Sequence, residues 1–300
     1  MLALWITLGV LGVVKGAICA AAWALAGQAT RRRAPDPPDP PERYGLRAEP
    51  ARFTARDGLQ LSGRLVGSLG QPVIVFCAGI NGNMDGDTGL VPPLVEAGFA
   101  VFQFDWRAHG ESEGERCSLG LHERLDLLGA LDHLEGRGVP RVGLLGFSMG
   151  GAVALRTAAE DPRAACVVCD GGFVETRHAI EGALRQRTGR PLRAFAALVL
   201  AAAGLQSGGR LAQASPLGYA PRIAPRPVLL IHGAEDPYVP PDAQAAIHAA
   251  CGPGAVLWQV PGCGHREAAR RLPREYQARV VNFFRQHLLQ QSSTTNPDLV

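Results

Sequence analysis

The sequence is poor in the features that mark nucleic-acid, nucleotide or metal proteins. Its 30 Lys and Arg against 27 Asp and Glu leave a formal net charge of only +3. The charges are mixed along the chain, without the basic stripe that nucleic acid requires. No G-x-x-x-x-G-K-S/T segment occurs, so a phosphate-cradling loop of that type is excluded. No His/Asp cluster has metal-ligand spacing, and the one C-x-x-C, Cys166 and Cys169, lacks a second pair or a His partner. No cofactor and no metal are therefore expected. The seven cysteines are odd in number, in a chain too long to need disulfide staples. Cys77 and Cys166, within apolar runs, read as small buried hydrophobes, and reduced thiols in a reducing compartment are expected.

What is present is apolar. Hydrophobic residues make up 47% of the 300 residues and charged ones 19%, ample for a large core. Residues 2–29 are interrupted only by Thr7, Lys15 and Gln28. Such a run exceeds the roughly 20 apolar residues of a membrane span. A central Lys costs ~3 kcal/mol on insertion, and the surrounding aliphatics bring the sum near balance. Lys15 can also snorkel. A cleaved signal peptide places its positive charge first. Here Arg31, Arg32 and Arg33 follow the apolar run, an order that suits an uncleaved anchor, although Ala24-Leu25-Ala26 resembles a cleavage site. Arginines at that end favour the cytoplasmic side. The expected organisation is a transmembrane anchor over 1–30 and a Pro-rich, stiff linker over 31–50. A single domain over 51–290 and a disordered tail over 291–300 complete it.

Beyond Pro50, strands and helices alternate. Residues 52–56 and 59–67 flank Asp57-Gly58, a hairpin signal. Val73–Cys77 is a short, wholly apolar run, as buried parallel strands are. Residues 99–104, 142–146, 165–169 and 228–231 repeat the type, and 256–260 reads as a last strand. Helical stretches lie between them, over 89–97, 119–134, 149–159, 241–250 and 273–289. The alternation implies an α/β fold, a mostly parallel sheet with helices on both faces. Sites in such sheets form beyond the carboxyl ends of the strands.

Gly146-Phe147-Ser148-Met149-Gly150 is a G-x-S-x-G that leaves an apolar strand and opens a helix. That strand–turn–helix context is what a nucleophilic serine on a sharp turn requires. With the segments FDWRAHGESEG, GLLGFSMGGAVAL, VCDGGF and PRPVLLIHGAEDPYVP, residues 53–289 resemble the α/β-hydrolase family. The likeness is to its membrane-anchored, peptidase-like branch of serine hydrolases. The resemblance implies a Ser…Asp…His triad in that chain order. Ser148 is then the nucleophile, Asp236 in HGAEDPYVP the acid, and His265 in PGCGHREA the base. Glu235 and Asp170 are fallback positions for the acid. The oxyanion hole falls to the backbone N–H groups of Met149 and Ile80. Family members usually carry His-Gly before the latter position, and Ala78-Gly79 stands here. Asn81 and Asn83 read first as turn formers. His109 resembles a loop-organising family residue, and His232 a structural one.

Residues 171–217 sit where the family inserts a cap. Their apolar stretch could cover the site, lie on a membrane, or simply pack on the sheet. The resemblance implies a carboxylesterase-like hydrolase acting on an ester or thioester of a small-molecule, hydrophobic acyl substrate. A peptidase or amidase, and a non-catalytic membrane-tethered binding protein, are the alternatives. The expected partners are the acyl substrate and the membrane, and not nucleic acid.

Overall fold

The structure is a computed structural model that describes residues 1–289, leaving aside the side chains of residues 2–4. The tail expected over 291–300 lies outside the described residues. Eight strands form one sheet in the order β1-β2-β4-β3-β5-β6-β7-β8. They are β1 (Ala48–Thr54), β2 (Gln60–Val66), β3 (Val73–Cys77), β4 (Ala100–Phe104), β5 (Val142–Phe147), β6 (Ala164–Asp170), β7 (Val228–Gly233) and β8 (Ala255–Val260). The hairpin β1–β2 turns at Asp57-Gly58 and runs antiparallel, and β2 joins β4 antiparallel. Every pairing from β4 to β8 is parallel. The central strands β3, β4, β5, β6 and β7 are buried along their whole length. This is the continuous apolar pattern that two covered faces demand.

Nine α-helices accompany the strands among the described residues. They are α1 (Leu2–Thr30), α2 (Pro92–Glu96), α3 (Glu123–Gly136), α4 (Met149–Glu160), α5 (Thr176–Thr188), α6 (Arg193–Ser207), α7 (Pro241–Cys251), α8 (Ala268–Arg271) and α9 (Pro273–Phe284). One hydrophobic cluster joins the sheet to α3, α4 and α7, and another joins its other face to α2 and α9. This architecture is the α/β-hydrolase fold.

Several boundaries differ from the sequence expectation for physical reasons. The helix expected from 119 starts at Glu123, because Leu119 and Gly120 hold positive φ (52° and 95°). The Glu123 carboxylate accepts from Ser118 N, Ser118 Oγ and Gly120 N, all at 2.7 Å, which ties that loop in place. The stretch 89–97 divides into a 3₁₀ turn, Thr88–Leu90, and α2, with Pro92 and Pro93 opening the helix. The last helix ends in a π turn over Arg285–Leu289.

The N-terminal segment does more than precede the domain. Residues Trp5–Thr30 of α1 are long and apolar enough to cross a membrane, by length and composition, as a signal sequence would also be. The end of α1 packs against α6, burying Ala22 and Ala26 with Val199, Ala202 and Ala203. Gln206 Nε2 donates to the Trp23 carbonyl at 3.0 Å. The stretch expected to be a stiff Pro-rich linker makes contacts with the domain. Arg32 donates to the carbonyls of Gly110, Ser112 and Gly114 at 2.7–2.8 Å. Asp36 accepts from Asn83 N at 3.0 Å, and Pro41 is buried.

Candidate active site

The turn between β5 and α4 sets the centre of the site. Ser148 sits at φ 51°, ψ −115°, a strained conformation for a residue with a side chain. Its neighbours must be small. A Cβ on Gly150 would overlap the Cys77 carbonyl, and one on Gly146 would overlap the backbone of Gly150. The Ser148 N–H donates to Asp170 O at 2.9 Å, which holds the turn against β6. The result lifts Oγ above the carboxyl edge of the sheet.

Two loops bring partners to that hydroxyl. His265 follows β8, and its Nε2 lies 3.0 Å from Ser148 Oγ. Asp236 follows β7, and its Oδ2 lies 2.7 Å from His265 Nδ1. A carboxylate only accepts, so Nδ1 carries the proton and Nε2 is left to accept from the serine. Asp236 is itself fixed, its Oδ1 accepting from Tyr238 N at 2.7 Å and Val239 N at 3.2 Å. The Asp236 side chain is fully buried, that of His265 is 22% exposed, and Ser148 is partly exposed, so the relay opens at the serine and the imidazole. The three residues selected from the sequence meet in one hydrogen-bonded chain.

The oxyanion candidates flank the same hydroxyl. Met149 opens α4, where a backbone N–H has no intrahelical acceptor. The helix end also carries partial positive charge. Gly79 lies close enough that a Cβ there would stand 3.6 Å from Ser148 Cβ, and Ile80 follows it. The Ile80 carbonyl is held from two sides. His109 Nε2 lies 2.8 Å away and Arg33 Nε donates at 3.2 Å. Asn83 behaves as a turn former, its Oδ1 accepting from Asp85 N at 3.0 Å, whereas Asn81 lines the cavity beside Ser148.

The fallback acids stand apart from the imidazole. Asp170 is buried at the end of β6 and accepts from Tyr276 Oη at 3.0 Å. Burial pushes its carboxyl up to about 6, against the opposing pull of Arg266. The side chain of Glu235 makes no contact with His265 Nδ1, which Asp236 occupies. His232 is buried with neither ring nitrogen partnered, and burial pushes it down to about 4, so it is neutral. Cys166 and Cys169 are buried free thiols in β6, the former pushed up to about 12 by desolvation. Among the described residues no three His, Cys, Asp or Glu side chains converge as a metal site requires.

A cavity of about 450 Å³ opens beside Ser148 and His265. Its walls come from the loop after β3, from α5 and α6, and from the end of α1. Residues 171–217 thus lie over the site, as a cap would. Arg31, Arg33 and Leu25 belong to this wall, and sequence reasoning missed them. Their distance in sequence from every motif left no local signal. Tyr238 was missed too; its ring packs 4.7 Å from the His265 ring.

Comparison with known proteins agrees with this architecture. A family model described as alpha/beta hydrolase fold matches residues 72–207. The solved esterase Pf2001 of Pyrococcus furiosus superposes with a TM-score of 0.74 at 24% identity, covering 86% of this chain and 98% of that one. The YfhR protein of Escherichia coli O157:H7 is 27% identical over 79% of this chain and 80% of its own. An acyl transferase of Photobacterium leiognathi is 34% identical over 37% of each chain.

Proposed function

We propose that the chain is a serine hydrolase that cleaves an ester or thioester of a hydrophobic acyl substrate. The observation that carries this reading is the Ser148–His265–Asp236 chain, with its 3.0 and 2.7 Å links. His265 Nε2 takes the Ser148 proton as Oγ attacks the carbonyl carbon. The oxyanion is met by the N–H groups of Met149 and Ile80. Collapse breaks the bond to the leaving group, which takes the proton from Nε2, and leaves an acyl-enzyme. Water then gives its proton to Nε2 and attacks the acyl carbon; the proton returns to Ser148. Asp236 holds the Nδ1–H tautomer and stabilises the imidazolium throughout.

The N-terminal helix serves in this reading as a membrane anchor. Its last turns are occupied by α6, but residues 2–21 still extend about 30 Å, the hydrocarbon thickness of a bilayer. Arg31, Arg32 and Arg33 support a cytoplasmic catalytic domain. A second reading is acyl transfer to an alcohol in place of water. The likeness to the Photobacterium acyl transferase favours it.

The test uses the full-length chain in detergent. It is reacted with a fluorophosphonate and assayed on p-nitrophenyl esters of short and long chain, with and without an added alcohol. Labelling and turnover that vanish in Ser148→Ala support the hydrolase. Labelling that survives the substitution removes Ser148 from its role. Silence of the wild type on esters and on peptide amides alike leaves a binding protein.

A further inference from the structure

The cavity beside Ser148 has two kinds of wall. One is aliphatic and aromatic, from Leu25, Leu119, Phe173, Ile180, Leu184 and Val199. The other is cationic, from Arg31, Arg33 and Arg187. Among the described residues no Asp or Glu lines this cavity. Among the described residues no carboxylate pairs with any of the three guanidinium groups. Arg33 is half-buried, and its donors reach only the neutral carbonyls of Gln28, Ala29 and Ile80. Asp36, Asp39, Asp85 and Asp87 line the opening on the other side of Ser148, so an anion is favoured on the side of the three arginines. Guanidinium groups also suit phosphate and carboxylate geometry.

The way in is set by the helices. Leu25, Gln28 and Ala29 of α1 form one wall, on the same helix that carries the candidate membrane span. Beside it, α6 turns Leu198 and Leu205 outward, the latter 77% exposed. Nearer the N-terminus of α1, Trp5, Ile6, Leu8, Val10 and Leu11 are all exposed. The exposed leucines of α6 therefore lie beside the end of α1 that walls the cavity, and Arg31 stands where the apolar run ends. That is the depth at which a lipid keeps its charge in water and its chain in hydrocarbon.

We propose that this cavity takes a single-chain acyl ester bearing an anionic group near the ester, drawn from the bilayer that holds α1. The inference rests on the hydrolase reading above and names its substrate class. The chain lies among the apolar residues, the carbonyl meets Ser148, and the anion meets Arg31 and Arg187 with Arg33 behind. The bond broken is the acyl–oxygen ester bond, and the products are a fatty acid and an anionic alcohol.

The test compares three palmitoyl esters in phosphatidylcholine vesicles bearing the full-length protein. They are lysophosphatidylglycerol (anionic), lysophosphatidylcholine (zwitterionic) and monopalmitoylglycerol (neutral). The expected result is a kcat/KM for the anionic ester about tenfold above the other two, a charge-assisted bond or more in strength. In Arg31→Gln/Arg187→Gln the anionic preference falls to within about twofold, and Arg31→Lys/Arg187→Lys restores part of it. A monomeric octanoyl lysophosphatidylglycerol in buffer distinguishes the source. Turnover of this soluble ester, with none of the vesicle-borne one, overturns delivery from the bilayer. Equal rates on all three palmitoyl esters, or a preference untouched by the arginine substitutions, overturn the inference and leave the hydrolase standing. No turnover of any ester, together with no fluorophosphonate labelling of Ser148, overturns both.

Discussion

Arg33 donates from Nε to the carbonyl of Ile80 at 3.2 Å, so a residue just past the end of α1 grips the loop that faces Ser148. The same carbonyl meets His109 Nε2 at 2.8 Å. With two side chains against its oxygen, the Ile80 peptide has little freedom to turn. The proposed oxyanion geometry is thereby tied to the docking of α1 on the domain.

Arg33→Met keeps the length of the side chain and removes its donors. One charge-assisted hydrogen bond is worth about 1.5 kcal/mol, or about tenfold in rate. The expected effect on ester hydrolysis is a fall in kcat of that order with a smaller change in KM. Steady-state kinetics on a short p-nitrophenyl ester separates the two. A change in KM alone would mean that Arg33 only binds.

Gly171 stands against the imidazole. Its φ is +66°, and a Cβ there would lie 3.1 Å from His265 Cε1 and 3.2 Å from Nδ1. Gly171→Ala therefore strains the backbone and pushes the ring from its place between Ser148 and Asp236. Misplacing a catalytic group by a fraction of an ångström costs on the order of tenfold to a hundredfold. The expected variant folds, by circular dichroism, but loses at least about tenfold in kcat.

Arg107 holds a buried junction. It bonds Asp126 at 2.6 Å, whose side chain is fully buried, and Asp57 at 2.7 Å at the hairpin turn. Arg107→Met leaves Asp126 buried without its counter-ion, a loss of about 3–5 kcal/mol. Urea denaturation should show that shift. A change below about 1 kcal/mol would mean that the pair contributes little.

Asp170 should make stability depend on pH. Burial raises its carboxyl from 3.8 in the unfolded chain to about 6 in the folded one. The folded state therefore holds the proton more tightly. Its contribution is fully present below pH 4 and is lost as pH rises to about 6. Asp170→Asn removes the charge that must be buried above that pH and keeps an acceptor for Tyr276. The difference in Tm, variant minus wild type, should grow between pH 4 and pH 6 and then level off. A difference that does not vary with pH would contradict the assignment.

The legible parts of this molecule were those encoded over a few neighbouring residues. The apolar runs of β3, β5 and β7 follow from burial on both faces, and the turn at Ser148 from three glycines around one serine. His265 and Asp236 were found by their position after strands and by family likeness, since nothing local says that they meet. The start of α3 was misplaced because Leu119 continues the apolar pattern while adopting positive φ. The stretch 31–50 reads as a stiff linker because its prolines suit one, and nothing local marks its contacts with the domain. Arg32 and Asp36 instead bind backbone groups 47 or more residues away. Such contacts leave no periodicity, and for that reason the arginine-bearing wall of the cavity was invisible.

The most direct measurement is fluorophosphonate labelling followed by peptide mapping of the full-length protein. It is run across pH on the wild type, Ser148→Ala and His265→Ala. The account predicts one modified residue, Ser148, with labelling abolished by Ser148→Ala and slowed at least about a thousandfold by His265→Ala. A label on another residue, or a Ser148 that reacts as fast without the imidazole, would contradict it.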